Sequence, residues 1–238
     1  MPGSRGANSF ADGGRLPLEW KGYGRQAEPE RARFCKSKEG GIPMRRLVDT
    51  AGLAGFLSGI AAALPDPDDI VMLCIGTDRS TGDAFGPLLG SRLLEAGWPH
   101  VYGTLREPCD ADRLPDVLAG LPAGKTVIAF DACLGSPANV GKYSIARGPL
   151  LPAEAVGKRL PEAGHYSAAA VVAARSAKPY YALMTAPLSL VIDMAESAAA
   201  AAAEAWRLTP ATSGRLRRDV HERTDLDCGK PDPRGIRR

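Results

Sequence analysis

The chain has few of the residues that build disulfide frameworks and zinc sites. Its 238 residues include five cysteines and three histidines. The cysteines are scattered and odd in number, and no two have C-x-x-C spacing. We therefore expect neither a disulfide framework nor a zinc site, and this cysteine usage fits a reducing cytoplasm.

Strong net charge and long apolar runs are lacking too. The formal net charge is +3, and the basic residues concentrate near the two ends. This is too small to argue for nucleic-acid binding. No stretch reaches the roughly 18 apolar residues of a membrane-spanning helix. We expect a protein that binds neither nucleic acid nor a membrane, with enough hydrophobic residues (45%) for a buried core.

The two ends differ in composition from the middle. Residues 1–43 are rich in Gly, Arg, Glu and Ser, which predicts a disordered leader, and Met44 is an alternative start. Residues 207–238 predict a disordered charged tail, and residues 44–206 a single domain. The stretch after Met44 superficially resembles a signal peptide, but its apolar residues favour an amphipathic packing helix. These residues are Leu47, Ala51, Ala54, Leu57, Ala61 and Leu64.

The middle of the chain alternates short apolar runs with helical patterns. Strands are predicted at 70–75, 101–105, 126–130, 143–146, 167–172 and 180–184. Helices are predicted at 88–96 and 114–121, and a last one opening at Pro187. This alternation predicts an α/β fold with a mainly parallel sheet.

The loop of residues 77–83 follows the first predicted strand and carries two carboxylates, an arginine, three hydroxyls and a glycine. It does not match a phosphate-binding loop. Gly76 and Gly82 are six residues apart, and Asp83 stands where that motif needs lysine. A carboxylate there would repel a phosphate. The nucleotide-binding interpretation is therefore weak.

Two carboxylates follow strands that should end at one edge of the sheet. Asp83 lies after the first strand, and Asp131 ends the apolar run of the third. Two carboxyls brought close do not both ionise easily, so one can act as an acid and the other as a base for water. They could instead bind a metal ion, with a histidine. Asp78 is a third candidate, and any one of the three could simply be a cap or turn residue.

Other polar residues have both a functional and a structural interpretation. Arg79 could bind a substrate carboxylate, or pair with a neighbouring aspartate. His165, just before a strand, could reach the same edge as a proton shuttle or ligand, or lie in a surface loop. Cys133 fits a small buried thiol better than a nucleophile. Ser80 and Thr81 fit loop hydroxyls better than nucleophiles.

Three motifs carry a resemblance to a known family. They are CIGTDRSTGD (74–83) followed by GP, VYGTLREP (101–108), and AFDACLG (129–135) with VGKYSI further on. These resemble the YyaC-type family of sporulation proteins, assigned as spore proteases, over roughly residues 66–205. That family is similar in fold to the spore germination protease and the hydrogenase maturation endopeptidases. The resemblance implies a three-layer α/β/α sandwich, with Asp83 and Asp131 in the two carboxylate positions and Asp78 in the shared motif.

The resemblance also implies a function. It predicts a peptidase associated with sporulation or germination, in the cytoplasm of the sporulating cell or forespore, that hydrolyses a protein substrate with Asp83 and Asp131. Beside what the resemblance implies, the residues themselves suggest that a divalent metal could be held by these two aspartates and His165. The supporting or binding residues that we predict are Asp78, Arg79, Thr81, Glu107 and His165.

Two alternatives stay open. One is a non-catalytic sporulation protein that keeps the fold and binds a peptide or protein partner. The other is a small-molecule hydrolase, since a fold does not fix its chemistry. A cleft filled by the side chains of Tyr166 or Met184 would favour the non-catalytic protein. A paired Asp83 and Asp131 in an open groove would favour the peptidase.

Overall fold

The computed structural model describes residues 44–152 and 160–208. They form a mixed six-stranded sheet flanked by helices, in the strand order β1-β5-β6-β4-β2-β3. The strands are β1 Arg46–Val48, β2 Ile70–Cys74, β3 Val101–Tyr102, β4 Thr126–Gly135, β5 Tyr143–Arg147 and β6 Tyr166–Ala174. The helices are α1 Thr50–Ala63, α2 Phe85–Glu95, α3 Leu114–Gly120, α4 Pro179–Met184 and α5 Leu188–Ala205.

The sheet has a parallel half and an antiparallel half. Strand β4 is parallel to both β2 and β6, and β2 is parallel to β3. Strand β5 is antiparallel to both β6 and β1. The parallel strands bring the carboxyl ends of β2 and β4 to one edge of the sheet, where α/β proteins place their sites.

One face of the sheet packs against α1, α2 and α5 around the larger hydrophobic core. Three contacts fix α5 in this layer. The Tyr143 hydroxyl of β5 donates a hydrogen bond to the Met194 carbonyl (2.7 Å). The Trp206 indole donates to the Leu64 carbonyl (2.9 Å) and packs edge-to-face on Trp98 (5.1 Å between centroids). The Tyr143 hydroxyl and the Trp206 indole N–H are thus both hydrogen-bonded to backbone carbonyls, whereas the buried Trp98 indole N–H has no hydrogen-bond partner among the described residues.

Helix α2 packs unusually close to the strands that precede and follow it. A methyl group added at Gly86 would lie 2.0 Å from the Ile75 carbonyl oxygen, and one at Gly90 would lie 2.1 Å from that of Gly103. Only residues without a Cβ permit this approach. The start of α2, and with it the loop that precedes the helix, is therefore held firmly against the end of β2.

The second face is covered over β2 and β4 by α3 and by the residues around Leu150 and Ala163. A groove lies over the rest of this face, lined by residues of β4, β6, β5 and β1. Helices on one face and α3 on the other make the three-layer α/β/α sandwich, so the predicted fold class is confirmed.

Several predicted elements differ in detail. Residues 180–184 were expected to form a strand and instead belong to helix α4, which starts at Pro179. Proline suits the first turn of a helix. Leu47 belongs to strand β1 rather than to the first helix. That helix is confirmed at Thr50–Ala63, but it buries Leu53, Leu57, Ile60 and Ala61, and Ala51 is exposed.

Strand β4 does not end at Asp131 but continues to Gly135, so this aspartate lies within a strand. The second predicted strand shortens to Val101–Tyr102. The predicted leader, most of the predicted tail and residues 153–159 lie outside the described residues. Among the described helices, none is long and apolar enough to span a membrane.

Candidate active site

The loop that carries Asp83 folds back on the end of β2. The Thr77 backbone nitrogen donates a hydrogen bond to the Asp83 carbonyl (3.2 Å). A Cβ at Gly76 would lie 2.0 Å from that same oxygen, and Gly76 has a φ of +149°. Both the close approach and the φ require glycine. Gly76 therefore places the backbone of Asp83 directly beside the carboxyl end of β2.

Asp131 lies on β4, the strand that pairs with β2, and is close to the carboxyl end of β2. The Ile75 backbone nitrogen donates to the Phe130 carbonyl (2.8 Å), which fixes the end of β2 beside the residue before Asp131. The Asp131 Oδ1 accepts a hydrogen bond from the Ala132 backbone nitrogen (2.8 Å). Asp83 and Asp131 line one groove. The structure thus brings together the two carboxyls that the sequence analysis paired.

Burial controls the charge of this pair. It raises the pKa of Asp131 to about 8, and the Asp83 charge raises it as well, while the Ala132 N–H opposes the rise. Burial also raises the pKa of Asp83 above its ordinary value, and the Ser80 hydroxyl lowers it. Asp131 therefore holds a proton at neutral pH. This is the division into an acid and a base that two adjacent carboxyls favour.

The groove extends from this pair across the open half of the sheet, with a volume of about 910 Å³. Register places four residues in one row across four strands, each opposite the next, and all four line the groove. They are Asp131 of β4, Ala169 of β6, Ser144 of β5 and Leu47 of β1. Three strand spacings amount to about 14 Å, which is enough for several residues of an extended peptide.

Two charged residues of the groove lining, Arg79 and Asp110, form an ion pair. The Arg79 guanidinium donates to Asp110 at 2.8 Å and also to the Thr77 hydroxyl at 3.2 Å. Asp110 in turn accepts from the backbone nitrogens of Asp112 and Arg113. Arg79 thus pairs with Asp110, which the sequence analysis did not single out, and not with Asp78 or Asp83.

Ser80 is a polar residue whose position the sequence did not predict. It is 4% exposed and lines the groove. Its hydroxyl lies near enough to Asp83 to lower the pKa of that carboxyl, yet it forms no hydrogen bond of good geometry with any described residue. Buried hydroxyls are nearly always hydrogen-bonded. A bound water or substrate group at Asp83 would satisfy it.

His165 is not brought to the aspartates. Its Nδ1 accepts a hydrogen bond from the backbone nitrogen of Val127, at the start of β4 (2.9 Å). Asp131 lies four residues further along that strand, about 13 Å away. The residue preceding a parallel strand lies at the amino edge of the sheet, opposite the edge where the carboxyls meet. The expectation that His165 reaches the site is therefore corrected.

The other residues implied by the resemblance lie outside the groove lining. Asp78 and Glu107 are exposed, and Thr81 is half-buried. The backbone nitrogen of Glu107 donates a hydrogen bond to the Thr104 hydroxyl in the loop after β3. Their functional roles stay predictions.

The structure bears on two further predictions, the role of Cys133 and the metal site. Burial and the nearby Asp131 raise the pKa of the Cys133 thiol to about 12, so it is protonated at neutral pH and is a poor nucleophile. Within residues 44–152 and 160–208, no three His, Cys, Asp or Glu side chains group to hold a metal ion. Asp83 and Asp131 lie together, but His165, the third predicted metal ligand, lies at the start of β4 away from them.

Neither possible obstruction closes the groove. The Tyr166 ring packs edge-to-face on Phe56, 6.2 Å between centroids, on the face covered by α1. Met184 is 41% exposed and does not line the groove. The groove is thus open beside the paired aspartates.

Comparison with known proteins gives a sequence relative and a structural neighbour. The chain is 41% identical over 154 residues to a Bacillus subtilis (strain 168) protein described as "Uncharacterized protein YyaC", covering 63% of this chain and 73% of the relative. A NiFe hydrogenase maturation protease, HycI, from Thermococcus kodakarensis KOD1 is 22% identical. That match covers 58% of this chain and 92% of the other, with a TM-score of 0.38.

A family model described as "Protein of unknown function (DUF1256)" matches residues 49–201. This range contains both aspartates and every strand from β2 to β6. With the match to YyaC, it establishes that the chain belongs to the DUF1256 family.

Proposed function

We propose that the protein is a peptidase that hydrolyses a protein substrate during sporulation or germination, with Asp83 as the base and Asp131 as the acid. One observation carries the proposal: two carboxyls at one end of a long open groove, one of which holds a proton at neutral pH. The resemblance of three motifs to the YyaC-type family, whose members are assigned as spore proteases without a demonstrated activity, supports a peptide substrate. It also supports action in the cytoplasm of the sporulating cell or forespore.

The carboxyl pair accounts for each proton in hydrolysis. The Asp83 carboxylate takes a proton from water as the water oxygen bonds to the peptide carbonyl carbon. Asp131 gives its proton to the amide nitrogen as the C–N bond breaks. Transfer of the proton from Asp83 to Asp131 restores the starting state. The Ser80 hydroxyl, buried beside Asp83, is placed to orient the water.

A non-catalytic protein that binds a peptide in the same groove is the alternative. The raised pKa of Asp131 argues for catalysis, because keeping an ionisable group buried costs stability that a binding groove does not require. The groove's openness serves both functions, so only a measurement of cleavage separates them.

The test compares the full chain with Asp131→Asn and with Asp193→Asn, whose carboxyl is exposed on α5. Each protein is incubated with a lysate of sporulating cells, and new peptide termini are identified by mass spectrometry. We expect discrete termini from the unmutated protein and from Asp193→Asn. Asp131→Asn should produce them at least about 100-fold more slowly, the usual contribution of a general acid.

Identical termini from all three proteins, or none from any, would refute the proposal. Each reaction is repeated with EDTA, since loss of cleavage on chelation would assign the chemistry to a bound metal ion rather than to the carboxyl pair alone. The rate should also fall above about pH 8, where Asp131 loses the proton it donates.

A further inference from the structure

The groove presents large apolar side chains to solvent. Leu47 is 42% exposed, Leu151 49% and Tyr180 59%, and all three line the groove. They come from three separate segments, which are strand β1, the stretch after β5 and helix α4. A single exposed apolar side chain is normal on a protein surface. Several that meet in one concave site indicate a surface that binds apolar groups.

Helix α4 places Tyr180 at the end of the groove where the carboxyl pair lies. The Leu183 carbonyl accepts a hydrogen bond from the backbone nitrogen of Gly82, the residue before Asp83. Tyr180 is one helical turn before Leu183, about 4.5 Å along the helix axis. The side chains of Tyr180 and Leu183 share the helix face that lines the groove. A peptide bound at the carboxyl pair therefore lies within reach of the Tyr180 ring.

The neighbouring face of α4 has the same apolar character but does not face the groove. Tyr181 is 63% exposed and Met184 is 41% exposed, and neither lines the groove. Tyr180 and Tyr181 are thus adjacent tyrosines of similar exposure, and only Tyr180 is placed to touch a bound peptide. Tyr181 is a matched control for it.

Leu47 lies at the other end of the row that begins at Asp131. Three strand spacings, about 14 Å, separate the two residues, and the small side chains of Ala169 and Ser144 form the floor between them. An extended peptide rises about 3.3 Å per residue, and every second side chain has the same direction. Side chains four residues apart therefore both face this floor and span the row.

We infer that Tyr180 and Leu47 bind two large apolar side chains of the peptide, one beside the bond that is cut and one about four residues away. This inference rests on the proposed function, because it names the class of peptide that the groove takes. It also fits the shape of the floor, since the small residues between the two apolar groups leave room for the peptide backbone.

The test measures binding and needs no hydrolysis, so its failure is distinct from failure of the peptidase proposal. It uses the full chain with Asp131→Asn, which prevents cutting. The probes are rhodamine-labelled dodecapeptides of Ser and Gln. They carry no leucine, one leucine, or two leucines placed two, three, four or five positions apart. Fluorescence anisotropy gives the Kd values.

We expect two leucines four positions apart to bind about ten-fold tighter than one leucine, as burial of a leucine side chain allows. Tyr180→Ser and Leu47→Thr should each reduce this ratio to about two-fold or less, and Tyr180→Phe, which keeps the ring, should retain it. Tyr181→Ser and Leu105→Thr change exposed apolar residues outside the groove and should leave the ratio unchanged.

Four results would overturn the inference. They are a ratio that survives loss of Tyr180 and Leu47, no gain from leucine, tightest binding at a separation other than four, and no binding by any peptide. Each variant should melt at the same temperature as its parent, because the altered side chains are exposed.

Discussion

The backbone nitrogen of Gly82 donates a hydrogen bond to the Leu183 carbonyl, 2.8 Å away. A Cβ at Gly82 would lie 2.8 Å from this oxygen and 3.0 Å from a methyl group of Val172. The loop that carries Asp83 is thus packed directly on helix α4 and strand β6. Any side chain at position 82 must push these elements apart.

Gly82→Ala should therefore lower the free energy of unfolding by about 1–3 kcal/mol, the usual cost of overpacking. It should also slow hydrolysis, because the loop that shifts carries Asp83. Gly59→Ala is the matched control. Gly59 lies inside helix α1, with nothing within 4 Å of an added Cβ. That variant should gain about 0.5–1 kcal/mol from its higher helix propensity. Urea unfolding measures both, and equal effects would contradict the packing described.

Asp131 should make stability depend on pH. Its pKa is about 8 in the folded protein and near 4 in an unfolded chain. Between these values the folded form holds a proton that the unfolded form has lost. The protonated Asp131 carboxyl therefore makes its full contribution to the free energy of unfolding below about pH 4. This contribution is lost as the pH rises to about 8, by at most about 1.4 kcal/mol per pH unit.

Asp131→Asn removes this titration and can keep the acceptor for the Ala132 nitrogen. Its free energy of unfolding, relative to the unmutated protein, should rise steadily between pH 4 and pH 8 and then level off. In an Asp83→Asn background, the pH at which this difference levels off should fall below 8, because the Asp83 charge helps to raise the pKa of Asp131. Urea unfolding from pH 4 to pH 9 checks both. A parallel course for Asp131→Asn and the unmutated protein would refute the assignment.

His165 should act on stability and not on catalysis. Its Nδ1 satisfies the backbone nitrogen of Val127, and burial lowers the pKa of the imidazole. His165→Ala should cost about 1–3 kcal/mol at pH 7, since it leaves a buried donor unpaired. His165→Asn, which can place an oxygen near the position of Nδ1, should recover part of this loss.

The pH dependence of His165 has the opposite sign to that of Asp131. The unfolded histidine binds a proton near pH 6.5, before the folded one does, so its contribution is complete above that pH and declines as the pH falls below it. The difference between the unmutated protein and His165→Ala should therefore narrow below about pH 6.5. A fall in kcat for His165→Asn with unchanged stability would instead place the imidazole in the site.

The sequence was most informative where a local pattern and its tertiary partner agree. Buried runs such as 70–75 and 126–130 predict interior parallel strands, because these strands are apolar on both faces. The sequence predicts that Asp83 and Asp131 lie close together, because each comes after such a run. The carboxyl ends of parallel strands meet at one edge of the sheet, regardless of the loops that connect the strands.

Other positions depend on register, which a single sequence does not reveal. Tyr166 pairs with Ile128, so β6 begins level with the start of β4 and places His165 at the far edge. Residues 180–184 carry strand-forming aromatics, but Pro179 and the packing of Leu183 near Gly82 hold them in a helical turn. Strand β1 has three residues and no apolar alternation, so only its pairing with β5 defines it.

The alternation of small side chains along β5 and β6 is part of the sequence signal for the groove. Along β6, Ser167, Ala169 and Val171 share the face of Asp131, and along β5 so does Ser144. These are mostly small side chains at positions where a covered sheet would carry larger ones. Without the strand order, however, nothing in the sequence tells which small residues become neighbours.

The row from Asp131 to Leu47 keeps chemistry and selectivity on different parts of the chain. The carboxyls come from β4 and the loop after β2, while Ala169 and Ser144 form the floor beside them. A longer side chain at either floor position would narrow the groove and leave the carboxyl pair in place. If the proposed peptidase activity holds, substitutions on β5 and β6 would therefore change the range of peptides accepted without changing the carboxyl pair.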